Sequence, residues 1–124
     1  MAKTLYERLG EVKGITKLVD DVVATHMKNP IVNPRFLPFL EEPERLAIIK
    51  KHTVNFFSAG SGGPQSYEGR DMVTTHKGMN ISEQEFMAVV DDILEAMEMN
   101  SHGEEEKKDV LAILYSLKEG IIRV

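Results

Sequence analysis

Four histidines, His26, His52, His76 and His102, carry most of the metal chemistry open to this chain, because it contains no cysteine. Without a thiol there is no disulfide, no thiolate ligand for zinc, an iron–sulfur cluster or haem, and no cysteine nucleophile. Redox chemistry must therefore come from a bound cofactor, and imidazole is the main ligand on offer to a metal of intermediate softness. In the stretch YEGRDMVTTHKGMNISEQEF, His76 ends a short helical run, has Met72, Val73 and Met79 on its own side, and is followed directly by Lys77 and Gly78. A single histidine on an apolar helical face is more often a hydrogen-bonded core residue than a ligand. Two inward-facing histidines on helices separated by a glycine-rich connector, His52 and His76, change that balance, and a haem iron between them would account for both.

Other chemistries find less support. A structural zinc site needs four ligands and a catalytic one usually three, no HxxxH spacing occurs, and the HxxE of His102 and Glu105 lies in the charged run HGEEEKKD. His26 would add a third ligand only through chance packing. There is no GxSxG, and the run GSGGP lacks the GK[ST] of a phosphate-binding loop, so it reads as a connector. The seven methionines at helical spacing read as core filler rather than iron ligands.

The elements that must hold these histidines follow from periodicity and punctuation. Thr4 and Glu7 have capping-box spacing, and Gly10 stops that first short helix. From Ile15 an amphipathic stripe of Ile15, Leu18, Val19, Val22, Val23 and Met27 runs towards Pro30, with His26 on it. The proline-rich segment NPIVNPRFLPFLEEPE excludes a long helix, yet its Phe36, Leu37, Phe39 and Leu40 predict a loop folded over something apolar. A third helix from Glu44 to about Ala59 puts Leu46, Ile49, Thr53, Phe56 and Phe57 on one side, with His52 facing inward or nearly so. GSGGPQSYEG then breaks regular structure. After the short helix bearing His76, Ser82 and Glu85 cap a helix with the stripe Phe86, Val89, Val90, Ile93, Leu94 and Met97. The last helix follows Gly103, opens on three glutamates that suit the helix dipole, and carries Val110, Leu114, Leu117 and Ile121. HGEEEKKD reads as a solvated helix start with His102 on the surface.

The expectation is a single all-α domain over residues 1–124, with 42% hydrophobic and 28% charged residues and no strand pair, internal repeat or low-complexity tract. A net charge of -5 with scattered basic residues argues against nucleic acid. No apolar run of about 18 residues exists to span a membrane, and the start MAKTLYERLG lacks the apolar core of a secretory signal, so a cytoplasmic location is expected.

The segments LYERLG, GGPQSYEGRDM and HKGMNISEQEF together resemble the truncated haemoglobins, most closely group I, over nearly the whole chain. The resemblance implies a two-over-two helical sandwich around haem b, with His76 as the proximal iron ligand and Phe36, or alternatively Phe39, against the haem ring. It implies a pocket lined by Ile49, Thr53, Phe56, Phe57, Met72, Ile81, Phe86 and Val89, and it places His52 where some cyanobacterial and algal members carry a distal iron ligand. Relatives often have a Phe–Tyr pair on the second helix whose tyrosine bonds the bound gas; Val22 and Val23 stand there. A common distal glutamine falls on Thr53, and the first glycine motif is reduced to Gly10 followed by Glu11. A proximal imidazole also needs an acceptor for its second N–H, expected at the Met72 or Val73 carbonyl, and Arg45, Lys50 and Arg70 are the candidate partners of the propionates. The implied function is binding of O2, NO or CO, as oxygen binding or transport or in a redox role. The alternatives are NO dioxygenation with an external reductase, or a haem-free helical interaction module.

Overall fold

The computed structural model describes residues 3–64 and 72–124. Among them seven α-helices appear: α1 Leu5–Arg8, α2 Glu11–Lys28, α3 Asn33–Phe36, α4 Pro43–Gly60, α5 Met72–His76, α6 Glu83–Met99 and α7 Glu104–Leu117. Two 3₁₀ turns add to them, Leu37–Glu41 after α3 and Lys118–Gly120 after α7. Among the described residues no strand forms; a lone parallel bridge joins Ile81 to Ile122. Helix α2 packs on α4 and on α6, and α6 on α7, which is the two-over-two arrangement of helix pairs.

Both capping boxes form. Thr4 Oγ1 accepts from the Glu7 backbone, and Ser82 Oγ from the Glu85 backbone, each at 3.0–3.1 Å, with the glutamate reaching back. Helix α2 begins at Glu11, four residues before its apolar stripe, because Gly10 takes φ +95° and Glu11 follows at φ +62°, turning the chain directly into the helix. An added Cβ at Gly14 would stand 2.2 Å from the Leu9 carbonyl oxygen, so the α1–α2 corner closes only around that glycine. Helix α7 ends at Leu117, which puts Ile121 beyond it in irregular chain.

One core cluster joins Leu5, Tyr6 and Leu9 of the α1 region to Ile15, Leu18, Val19, Val22 and Val23 of α2, and to Ile93, Ala96, Met97 and Val110. A second, smaller one joins Ile81, Phe86 and Val90, with Ile121 and Ile122 against it.

Candidate functional site

The site is built around α4 and α5. Each residue of a helix turns about 100° from the last. On α4, Leu46, Val54 and Phe57 pack against the first core cluster and Ser58 is buried, which fixes the direction facing α2. Ile49, Thr53 and Phe56 fall on an adjoining face and are half-buried. In the segment just before α4, the rings of Phe36 and Phe39 meet edge-on 6.5 Å apart. Phe56 and Phe57 also meet edge-on, at 6.3 Å.

Helix α5 has five residues, too few to persist alone. Chain segments on either side hold it. The backbone N–H of Gly78 donates to Val124 O at 3.2 Å, and that of Arg123 to Ile81 O at 2.9 Å. Gly120 passes so close to Met72 that an added Cβ would stand 3.4 Å from the Met72 Cβ. From the other side Arg35 of α3 donates through Nη2 to the Met79 carbonyl at 3.0 Å and through Nε to Glu85. That guanidinium, first, and the Ser82 cap hold the Glu85 carboxyl at about 2, well below the usual carboxylate range.

His76 Nδ1 lies 2.8 Å from the Met72 carbonyl oxygen. A carbonyl can only accept, so Nδ1 carries a proton, and in the neutral imidazole Nε2 is then the nitrogen with the lone pair. This is the expected Met72 alternative, and a bond of this kind holds the ring plane of a ligating imidazole in place. His76 is half-buried; Val73 and Met79, read as apolar companions, are exposed.

The other expected residues separate. Ile81 and Phe86 belong to the second core cluster, and Phe57 and Val89 pack against the first. Val23 is buried on α2, and the Thr53 hydroxyl donates to the Ile49 carbonyl at 2.8 Å, one turn back in its own helix. His52 does not face inward: it is exposed, on the flank of α4 roughly 160° from the core-facing direction. Arg45 pairs with Glu42 and lies over the Phe39 ring at 5.5 Å; Lys50 pairs with Asp20 of α2 at 3.2 Å. Arg70, Tyr67 and most of the glycine-rich connector lie outside the described residues.

One histidine departs from its expected setting, and another keeps its place on the stripe but gains a distant partner. His102 is half-buried rather than on the surface, its Nε2 enclosed without a hydrogen-bond partner, and burial pushes its pKa down. The neighbouring charges also reach across elements: Arg8 of α1 bonds Asp109 and Glu106 of α7. His26, read as a stripe residue, is buried and donates from Nδ1 to Asp92 Oδ2 at 2.7 Å. No residue pattern marked Asp92, which lies 66 positions away on α6. Among the described residues no group of three or more histidine and carboxylate side chains gathers to hold a metal, and no helix is long and apolar enough to cross a membrane.

A haem suits this arrangement on two observed counts. His76 presents an imidazole oriented by the Met72 carbonyl, and α4 with the segment before it carries the half-buried apolar and aromatic side chains Ile49, Phe56, Phe36 and Phe39.

The family model of the bacterial-like globins matches residues 4–122. The group 1 truncated hemoglobin GlbN of Nostoc sp. (strain MUN 8820) is 28% identical over 119 residues, covering 96% of this chain and 97% of that protein. Among solved structures, the Fe(III) form of the truncated hemoglobin from Tetrahymena pyriformis superposes with a TM-score of 0.88 at 19% identity, covering 98% of this chain and all of that one. The 2/2 hemoglobin of Synechococcus sp. PCC 7002, in the cyanomet state with covalently attached heme, gives a TM-score of 0.81 at 20% identity, covering 94% of each chain.

Proposed function

Because the chain belongs to the bacterial-like globin family and has the truncated haemoglobin fold, we propose that it holds haem b through His76 and binds a small diatomic ligand, O2, NO or CO, on the opposite face. When bound, the haem supplies an iron that takes such ligands reversibly. The observation that carries the reading is the His76 Nδ1–H bond to the Met72 carbonyl, which leaves Nε2 as the ligating atom and raises its basicity.

The chain's own residues then decide which ligand is favoured. On the distal side Val23 offers no donor, and the Thr53 hydroxyl spends its proton on the Ile49 carbonyl. A buried hydrogen bond to a strongly polar acceptor contributes about 1.5–3 kcal/mol, or roughly ten- to a hundredfold in release rate. With neither residue supplying it, O2 is held weakly relative to CO, which needs no such donor. His52, at the outer edge of the α4 face, is our candidate for the sixth iron position. An electron-donating reductase is the partner that a redox role would require.

Haem titration with the absorption spectrum tests the reading. His76→Ala should sharply weaken haem retention while His102→Ala retains it. A His76→Ala protein with the wild-type spectrum and affinity would overturn the assignment. A low-spin ferric spectrum that turns high-spin in His52→Ala places His52 on iron, whereas a water-ligated high-spin wild type excludes it.

A further inference from the structure

The second polar constellation in the molecule lies outside the His76 region, at the corner where α2, α3 and α6 meet. His26 stands three residues beyond Val23 on the same stripe of α2. Its imidazole is 5% exposed and Asp92 is 4% exposed, so both members of the pair are out of water. Burying such a pair costs more desolvation than burying leucines of similar volume, so overall stability is a weak reason for its presence. What it supplies is direction.

The bonds run in a line. Asp92 Oδ2 accepts from His26 Nδ1 at 2.7 Å, and its other oxygen accepts from Asn29 Nδ2 at 3.0 Å. Asn29 Oδ1 in turn accepts from the backbone of Ile31 at 3.0 Å, and its carbonyl accepts from Asn33, the first residue of α3, at 2.7 Å. The imidazole is thereby fixed in position and in ring plane. Against it lies the ring of Phe36, with centroids 4.9 Å apart and planes tilted by 32°. Phe36 also meets Phe39 edge-on, and Arg45 covers Phe39.

We propose that His26, fixed by Asp92, is a positioning residue for Phe36, holding that ring rigid at the corner of α2 and α3, where the haem reading puts it against the bound group. The proposal rests on the haem reading given above for its consequence, but not for the contact itself. Phe36 is only half-buried and sits in a four-residue helix, and the imidazole against it is itself fixed by the bond to Asp92. A wall that swings admits several orientations of a bound diatomic and alters its rate of entry.

The test uses the CO complex of the full chain. The double variant His26→Leu/Asp92→Leu removes the pair without stranding a buried charge. His26→Gln keeps a donor towards Asp92 but loses the ring, and Asp92→Asn keeps the ring and an acceptor. The wild type should show one narrow C–O stretching band. The double variant and His26→Gln should broaden or split it and change the CO association rate about three- to tenfold, the weight of one aromatic pair. Asp92→Asn should stay near the wild type. Bands and rates at wild-type values in both ring-deleting variants, whatever their melting temperatures, would reduce the pair to a stability element and sink the proposal. If the double variant fails to fold, His26→Gln alone decides. Should the wild type take up no haem, the functional reading fails by itself. The contact is then read in the apoprotein, from the flip rate of a ¹³C-labelled Phe36 ring, slow in wild type and fast in His26→Gln. Equal flip rates overturn it there too.

Discussion

Helices α2 and α4 are each 18 residues long, both amphipathic and both packed against one another, yet they spend their apolar side chains differently. Six residues of α2 are buried, Ile15, Leu18, Val19, Val22, Val23 and His26, whereas Ser58 is the one buried residue of α4. Helix α2 lies between α4 and α6, so protein covers two of its sides. Helix α4 meets α2 along one edge and leaves Ile49, Thr53 and Phe56 only half-buried. The same sequence period therefore builds a core in one helix and a binding wall in the other. The neighbours that close around it make the difference, and periodicity does not report them.

The comparison is sharpest at Leu18, which is fully buried in the first cluster. Leu18→Ala removes well-packed methyls and leaves a cavity that the interleaved helices cannot collapse. We expect a loss of about 2–5 kcal/mol in urea unfolding of the apoprotein. A loss near zero would mean that α2 is no more central than α4.

The buried pair on α2 gives a second effect, which depends on pH. Desolvation, opposed by Asp92, lowers the His26 pKa from its ordinary 6.5. Asp92 of α6 is the titratable group acting on it; α3 presents the neutral Phe36 ring. A histidine whose folded pKa lies below its unfolded one binds more protons when unfolded, so its contribution is present above about pH 6.5 and is lost as pH falls through the lowered value. Each unit of the difference is worth about 1.4 kcal/mol. Apoprotein stability measured from pH 7.5 to 5 should fall in the wild type and be flatter in His26→Leu/Asp92→Leu. Parallel slopes would show that the acid sensitivity arises elsewhere.

Much of the fold was legible because its signals are local. Both capping boxes, the stripes of α2 and α6, and the glycine stops need only neighbours three or four residues away. The proximal geometry was legible for the same reason, since the acceptor for His76 lies one turn back in its own helix. What escaped the sequence was set by distant contacts. His26 needed Asp92, 66 residues on, to become a held imidazole rather than a stripe residue. His52 shares the helical spacing of Ile49 and Phe56, but the roll of α4 towards α2, fixed by Leu46, Val54 and Phe57, turns it outward. The fastening of α5 by residues 118–124 was invisible too, because Ile121 continues the periodicity of α7 while the backbone has already left the helix.

The smallest effect is expected at Ile49, and it bears most directly on what α4 is for. Ile49 is half-buried, so truncating it removes methyls that already touch water on one side, and little cavity energy is at stake. In the apoprotein Ile49→Ala should cost under about 1 kcal/mol, below the range of a core truncation such as Leu18→Ala. With haem bound the side chain would be covered on both sides. The stabilisation that a ligand adds grows with the logarithm of its concentration over its dissociation constant, so a weakened wall shows as a smaller haem-induced rise in melting temperature. Ile49→Ala and Leu18→Ala should therefore exchange character. The first leaves the apoprotein melt nearly unchanged and reduces the haem-induced rise, while the second lowers both melts and leaves the rise between them about the same. Paired melts with and without haemin measure this directly. A large loss in apo Ile49→Ala would place Ile49 in the core, and an unchanged haem-induced rise would remove α4 from the binding wall.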